Sequence, residues 1–170
     1  MSSSGSHPSL RLVTIGVYGY TEDGFFGVLR EAGVDTFCDV RYRRGVRGRE
    51  YAFANRRRLE ARLAPMGIRY LHFPDLAPGS EVRARQAAAD RLTRTAKRKR
   101  MMLSEDFIRG YREDHLRHLD GAGFLERVGR DARVIVLFCV ERDPAACHRS
   151  LLAGGLQDLL DCEVLHLTPD

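Results

Sequence analysis

Leu10 to Tyr18 is a nearly unbroken apolar run rich in β-branched residues, the mark of a strand covered on both faces. Thr21 stands before Glu22 and Asp23 as an N-cap followed by first-turn acids. Phe25, Phe26 and Leu29 recur at helical spacing, and Gly33 is placed to stop that helix. Val34 to Val40 reads as a second strand. Asn55 to Met66 predicts a helix with Leu59 and Leu63 on one face, and Ile68 to Phe73 a third strand ended by Pro74. Ser80 to Met101 is helical by propensity, with few large apolar residues. Ser104 caps a further helix, with Leu103 and Ile108 placed as a hydrophobic staple and Phe107, Tyr111 and Leu119 as its buried face. Arg133 to Val140 is the strongest strand of the chain. A helix from about His148 to Leu160 and a strand from Glu163 to Leu167 complete the order.

Strands that alternate with helices build βαβ units. The expected fold class is therefore α/β: a single domain over residues 10–170, with a mainly parallel, Rossmann-like sheet of about five strands and helices on both faces. Residues 1–9 are expected to form a flexible tail. The 170 residues, 44% apolar and 30% charged, suit one globular core. No internal repeat divides them. No apolar run approaches the ~20 residues of a membrane helix, and the opening residues lack the basic and apolar regions of a signal peptide. The expected location is cytoplasmic, where Cys38, Cys139, Cys147 and Cys162 stay reduced.

In such folds ligands bind beyond the carboxyl ends of the strands, so the residues there are the first candidates. Asp39 and Arg41 close the second strand two residues apart, on one face. Either Arg41 binds an anion while Asp39 orients it, or the two form an ordinary ion pair that tethers the loop. Cys139 and Glu141 end the fourth strand with the same spacing. Cys139 reads as a small core residue, and Glu141 as a general acid or base or a partner for an arginine. The segment Asp143 to Ser150 then starts a helix at Asp-Pro and puts Cys147, His148 and Arg149 near a helix N-terminus, where anions are attracted and a thiolate is favoured. Three readings of it stay open. Cys147 is a nucleophile with His148 as base and Arg149 holding an anionic group; or the cluster is an anion clamp; or it is only a helix start. His72 ends the third strand and Tyr18 follows the first, both within reach of a pocket. Gly16-Val-Tyr-Gly19-Tyr20 occupies the place of a phosphate loop but lacks the third glycine of that motif. Cys147 and His148 with Cys139 or His72 hold metal-ligand chemistry, yet no pair has the spacing of a zinc motif, so no metal is expected. Nothing in the sequence identifies a cofactor.

Thr14-Ile-Gly16, Asp39-Val-Arg41 and the long Cys139-Val-Glu-Arg-Asp-Pro-Ala-Ala-Cys-His-Arg-Ser-Leu-Leu-Ala153 resemble the domain of unknown function 488 family, in order and spacing, over about residues 12–168. The resemblance implies an α/β domain whose recurring polar residues correspond to Asp39, Arg41, Glu141, Cys147, His148 and Arg149. It implies no particular reaction. This chain differs from many members in having Val17-Tyr-Gly-Tyr20 after Thr-Ile-Gly, and Tyr42-Arg-Arg-Gly45 after Asp-Val-Arg.

Charge adds a second candidate. The formal net charge of +5 is uneven: residues 41–62 hold nine arginines and two glutamates, and residues 91–100 six basic residues and no acid, so the remainder is net −8. Tyr42, Tyr51 and Phe53 interleave the first stretch, as in surfaces that track a phosphate backbone and stack bases. The expected function is thus a small enzyme acting on an anionic substrate (phosphorylated, nucleotide or nucleic acid) at a strand-end pocket. Cys147, His148, Glu141 and Asp39 would be its catalytic residues, and Arg41, Arg149, Tyr18 and His72 its binding residues. The alternative is a nucleic-acid-binding protein without catalysis, using Arg43, Arg44, Arg47, Arg49, Arg98 and Arg100. In either case the partner is an anionic small molecule or nucleic acid.

Overall fold

The computed structural model describes residues 9–96 and 99–170, so the expected tail up to residue 8 and Arg98 lie outside the described residues. Five strands form one parallel sheet in the order β3-β2-β4-β1-β5: β1 (Arg11–Ile15), β2 (Thr36–Asp39), β3 (Arg69–His72), β4 (Val134–Phe138) and β5 (Glu163–Leu167). All of β2, and all but the first residue of β1 and β4, are buried. With both faces covered there is no solvent side to make the sequence alternate, which is why these strands read as continuous apolar runs. The α/β, Rossmann-like expectation holds.

The helices are α1 (Glu22–Glu31), α2 (Arg56–Leu63), α3 (Ser80–Thr93), α4 (Glu105–Asp114), α5 (Gly121–Val128) and α6 (His148–Leu160). Local chemistry sets their ends. The Thr21 hydroxyl accepts from the Gly24 N–H and the Ser104 hydroxyl from the Phe107 N–H, while Gly33 takes φ +72° at the close of α1. Phe25 of α1 sits among Phe26, Phe37, Phe53 and Phe138 in an aromatic core on one face of the sheet. On the other face α4 packs on α3 and α6, with Tyr111 between Phe107, His115 and His148.

Two expectations are corrected. The helix expected over Ser80 to Met101 ends at Thr93, and Arg94 turns the chain through a left-handed conformation at φ 53°. Leu92 is 88% exposed, so a longer helix would have little apolar surface to bury. Leu119 is not on the buried face of α4, which stops at Asp114; it follows a short turn over Leu116–His118. α5 was hidden in the sequence by Gly121 and Gly123. It is capped by Asp120, whose carboxylate accepts from the Gly123 N–H, and it buries Phe124 and Val128.

The register positions the site. Asp39 is level with both Phe138 and His72, and Ile15 with both Phe138 and Leu167. All five carboxyl ends therefore lie at one edge, and the loops that follow them meet there.

Candidate functional site

At that edge a cavity of about 480 Å³ opens between the loop after β2, the loop after β4, α3 and the start of α4. Arg41, Cys139, Glu141, Cys147 and His148 line it, joined by Arg83, Gln86 and Asp90 of α3. Its size falls within the range of small-molecule sites, roughly 300–1,000 Å³.

Arg41 is 4% exposed and stacks its guanidinium 4.6 Å from the centre of the Phe138 ring. Its Nε and Nη2 each donate to Asp39 at 2.8 Å, a two-pronged pair that fixes the plane of the guanidinium. The third nitrogen, Nη1, is buried without a partner among the described residues. Asp39 is wholly buried and also accepts from the Arg41 N–H and, at 2.6 Å, from the Tyr70 hydroxyl. Burial, and then the Asp39 charge, push the Tyr70 pKa up, so that hydroxyl stays a donor. With four donors on its two oxygens Asp39 has no part facing the cavity. Because it is level with Phe138, it points to the opposite face of the sheet from Cys139. Its carboxylate fixes the Arg41 guanidinium, a geometry common to both readings of the pair.

Cys139 leaves β4, and Cys147 is the N-cap residue of α6, with His148 its first residue. The Asp143 carboxylate caps the intervening turn by accepting from the Ala145 N–H at 2.9 Å. The ring of His148 lies between two groups: its Nε2 is 3.2 Å from the Val40 carbonyl and its Nδ1 3.9 Å from Cys147 Sγ. A carbonyl only accepts, so Nε2 carries the proton and Nδ1 presents its lone pair to the sulfur. Burial opposes the Cys147 thiolate, but the hydrogen bond from the Cys139 thiol and then the Arg149 charge favour it, and its pKa lies well below the usual thiol range. Cys139 is pushed up instead, first by its hydrogen bond to Cys147 and then by burial. Its sulfur also stands 3.9 Å from Glu141 Oε2.

Glu141 is held by Arg100, whose guanidinium reaches Glu141 at 3.2 Å, Asp90 at 2.9 Å and the Ala146 carbonyl at 3.0 Å. Asp90 in turn accepts from Gln86, and the Gln86 side-chain oxygen accepts from the Ser104 N–H. A continuous polar chain thus ties α3, the start of α4 and the loop after β4. Sequence reasoning passed over its α3 members. Arg83, Gln86, Ala87 and Asp90 fall at i, i+3, i+4 and i+7, one helical stripe, and that was the available signal.

Other expected site residues lie elsewhere. Arg149 is fully buried and donates to the carbonyls of Glu141 and Arg142 at 2.6 and 3.3 Å, so it holds the loop rather than facing the cavity. His72 donates through Nε2 to the Arg41 carbonyl at 2.7 Å and fixes the loop after β2. Tyr18 packs edge-on against Tyr51, away from the cavity lining. The Gly16–Tyr20 turn is no phosphate cradle. Its Val17 and Tyr18 N–H groups both donate to the Val140 carbonyl, that of Gly19 to the Tyr51 hydroxyl and that of Tyr20 to the Val17 carbonyl. Of the nucleic-acid candidates, Arg43, Arg47 and Arg49 are exposed, Arg44 is half-buried, and Arg100 is neutralised by its two carboxylates.

Among the described residues no helix is long and apolar enough to cross a membrane. The family model described as Domain of unknown function DUF488 matches residues 22–156. Its span takes in Asp39-Val-Arg41 and the whole motif from Cys139 to Ala153, and begins after Thr14-Ile-Gly16. Neither a curated protein nor a solved structure matches the chain.

Proposed function

Because the chain belongs to the DUF488 family, whose description names no reaction, its chemistry has to come from its own side chains, and we propose that it is a small cytoplasmic enzyme acting on an anionic substrate in the strand-end cavity. The observation that carries this reading is the convergence of Arg41, Cys147 and His148 on one pocket. Arg41 supplies the anion contact. Its fork is anchored on Asp39, which the Tyr70 hydroxyl holds in turn, and this leaves Nη1 as a fixed donor without a partner among the described residues. Such a donor is oriented before the ligand arrives, so little ordering cost remains on binding. Arg43 and Arg83, exposed at the rim, add charge that draws an anion inward.

Cys147 and His148 supply the reacting groups. A sulfur, a base nitrogen and a group that orients the base stand in sequence: Cys147 Sγ, His148 Nδ1 and, on the far side of the ring, the Val40 carbonyl. This is the arrangement of a nucleophile with a positioned base, and the 3.9 Å separation is of the kind that shortens when substrate binds. Asp39 and Arg149 become positioning residues in this reading.

The test is alkylation of the reduced, chelator-treated protein, mapped by mass spectrometry. Iodoacetate should label Cys147 faster than neutral iodoacetamide, the reverse of an ordinary thiol. Inorganic pyrophosphate or a nucleotide should slow it, and Arg43→Met and Arg83→Met should each reduce the preference. No preference for the anionic reagent would overturn the anion site. Hydrolysis of a phosphoester and nucleotide panel that survives Cys147→Ser would overturn the nucleophile.

The exposed Arg43, Arg47 and Arg49 favour one second reading, nucleic-acid binding along the loop after β2.

A further inference from the structure

Cys139, Cys147 and His148 offer two sulfurs and an imidazole nitrogen that all lie within 4.8 Å of one another, buried at the cavity wall. From this geometry we infer that the three side chains form a zinc site, with a fourth coordination position open to the cavity. The inference goes beyond the anion-binding reading and does not depend on it. It also departs from the expectation drawn from motif spacing.

The donor set is the one zinc selects, thiolate sulfur and imidazole nitrogen. Bond lengths of about 2.3 Å to sulfur and 2.0–2.1 Å to nitrogen in a tetrahedron set ligand atoms roughly 3.5–3.8 Å apart. Cys147 Sγ and His148 Nδ1 are already 3.9 Å apart, so closing on a metal takes a small contraction and no change of fold. The histidine is also turned correctly. It gives Nε2–H to the Val40 carbonyl, the outer-shell bond that metal-binding histidines typically make, and aims its lone pair at the sulfurs.

Charge and rigidity agree. Cys139, Cys147 and His148 are 7%, 2% and 6% exposed. Two thiolates without a cation would be costly there, whereas two thiolates with Zn²⁺ and a neutral imidazole sum to zero. The ligands come from the end of β4 and the start of α6. The loop between them is tied down by Arg149 on the Glu141 and Arg142 carbonyls and by the Asp143 cap. Three protein ligands with an open position is the form of a catalytic site; a closed structural site has four. A metal there would face the same anion that Arg41 holds. The free Cys147 nucleophile and the zinc-bound thiolate are alternative states of one sulfur.

The experiment is titration of the reduced, chelator-stripped protein with Zn²⁺ against a chromogenic chelator, and with Co²⁺ as the spectroscopic probe. One equivalent should bind. Co²⁺ should give thiolate charge-transfer and tetrahedral ligand-field bands, and Zn²⁺ should protect both Cys139 and Cys147 from alkylation. Cys139→Ser, Cys147→Ser and His148→Asn should each weaken Zn²⁺ binding by more than the ~10–100-fold typical of an outer-shell loss, and Cys162→Ser should not. Thermal melts of each variant separate loss of ligand from loss of fold. A Co²⁺ spectrum of the unaltered protein without thiolate bands would overturn the site. So would Zn²⁺ binding unchanged by Cys139→Ser, or a Cys139–Cys147 disulfide that forms in air while the reduced protein takes up no metal. The iodoacetate preference of the stripped protein is independent of all three, so failure of the metal site and failure of the anion site are told apart.

Discussion

A methyl group added at Gly16 would lie 1.8 Å from the carbonyl oxygen of Glu141 and 3.1 Å from Arg149 Nη1. The backbones following β1 and β4 are therefore in direct contact, and only glycine allows it. Gly16→Ala should cost about 3 kcal/mol or more, the upper range of overpacking, read as a lowered urea midpoint. The same loop depends on Arg149. Removing its guanidinium leaves the Glu141 carbonyl without its charged donor in a buried site, a loss of about 1.5–3 kcal/mol per bond of this kind. Arg149→Met should accordingly lower the urea midpoint while leaving Arg43 and Arg83 to attract an anion at the rim. Both residues stood out in the sequence, but as ligand contacts. Their partners are backbone carbonyls of another loop, and no side-chain pattern encodes which carbonyl comes near.

Helix α5 was missed as an element, yet it clamps the segment that follows β3. Its Arg127 grips Asp75, just after β3, at 2.7 and 2.8 Å and stacks 4.1 Å from the centre of the Phe73 ring. The hydrogen bond from Arg127 holds the Asp75 carboxyl below its ordinary range. A lowered folded pKa stabilises the protein above the unfolded value of about 3.9, and that gain is lost as pH falls through the folded value. The pair is half-exposed, so the stability difference between the protein and Asp75→Ala should be about 1 kcal/mol or less at pH 6, shrinking as pH drops below ~3.9. Urea titrations at the two extremes check it. At α4 the start was legible and the end was not, since Leu119 lies beyond it; Ser104→Ala should cost about 1 kcal/mol, because the cap to Phe107 is local. At α3 the helix start was legible and the end was not, since leaving the helix at Arg94 accompanies Arg100 meeting Asp90 and Glu141 from distant segments.

Across the molecule the two basic stretches do different work. In the first, Arg41 is paired inside the cavity wall, Arg56 meets Glu60, and Arg58 and Arg62 meet Glu22. In the second, Arg100 is an internal link. The sequence charge therefore overstates the open cationic surface. Pyrophosphate affinity should change little between ~50 and ~200 mM salt, because its main contact is a buried donor. Retention on single-stranded oligonucleotides should fall steeply over the same range. Fluorescence titrations at both salt concentrations decide it: a steep loss of pyrophosphate binding would count against the buried donor, and a flat oligonucleotide curve against phosphate-backbone contact along the loop after β2.

By itself the sequence determined the α/β class, the buried strands and the caps of α1 and α4, and it singled out the segment from Cys139 to Arg149 as the candidate chemical centre. These follow from periodicity and from contacts within a few residues, which are properties of a linear chain. It also held every ligand of the candidate metal site, at spacings that match no motif. Tertiary structure alone decided that Cys139 meets Cys147 and His148, that Asp39 turns to the other face, and that Arg149 faces inward. The reason is register. A strand shifted by one residue sends each side chain to the opposite face, and pairing between β2 and β4, about a hundred residues apart, is set by the packing of the whole core.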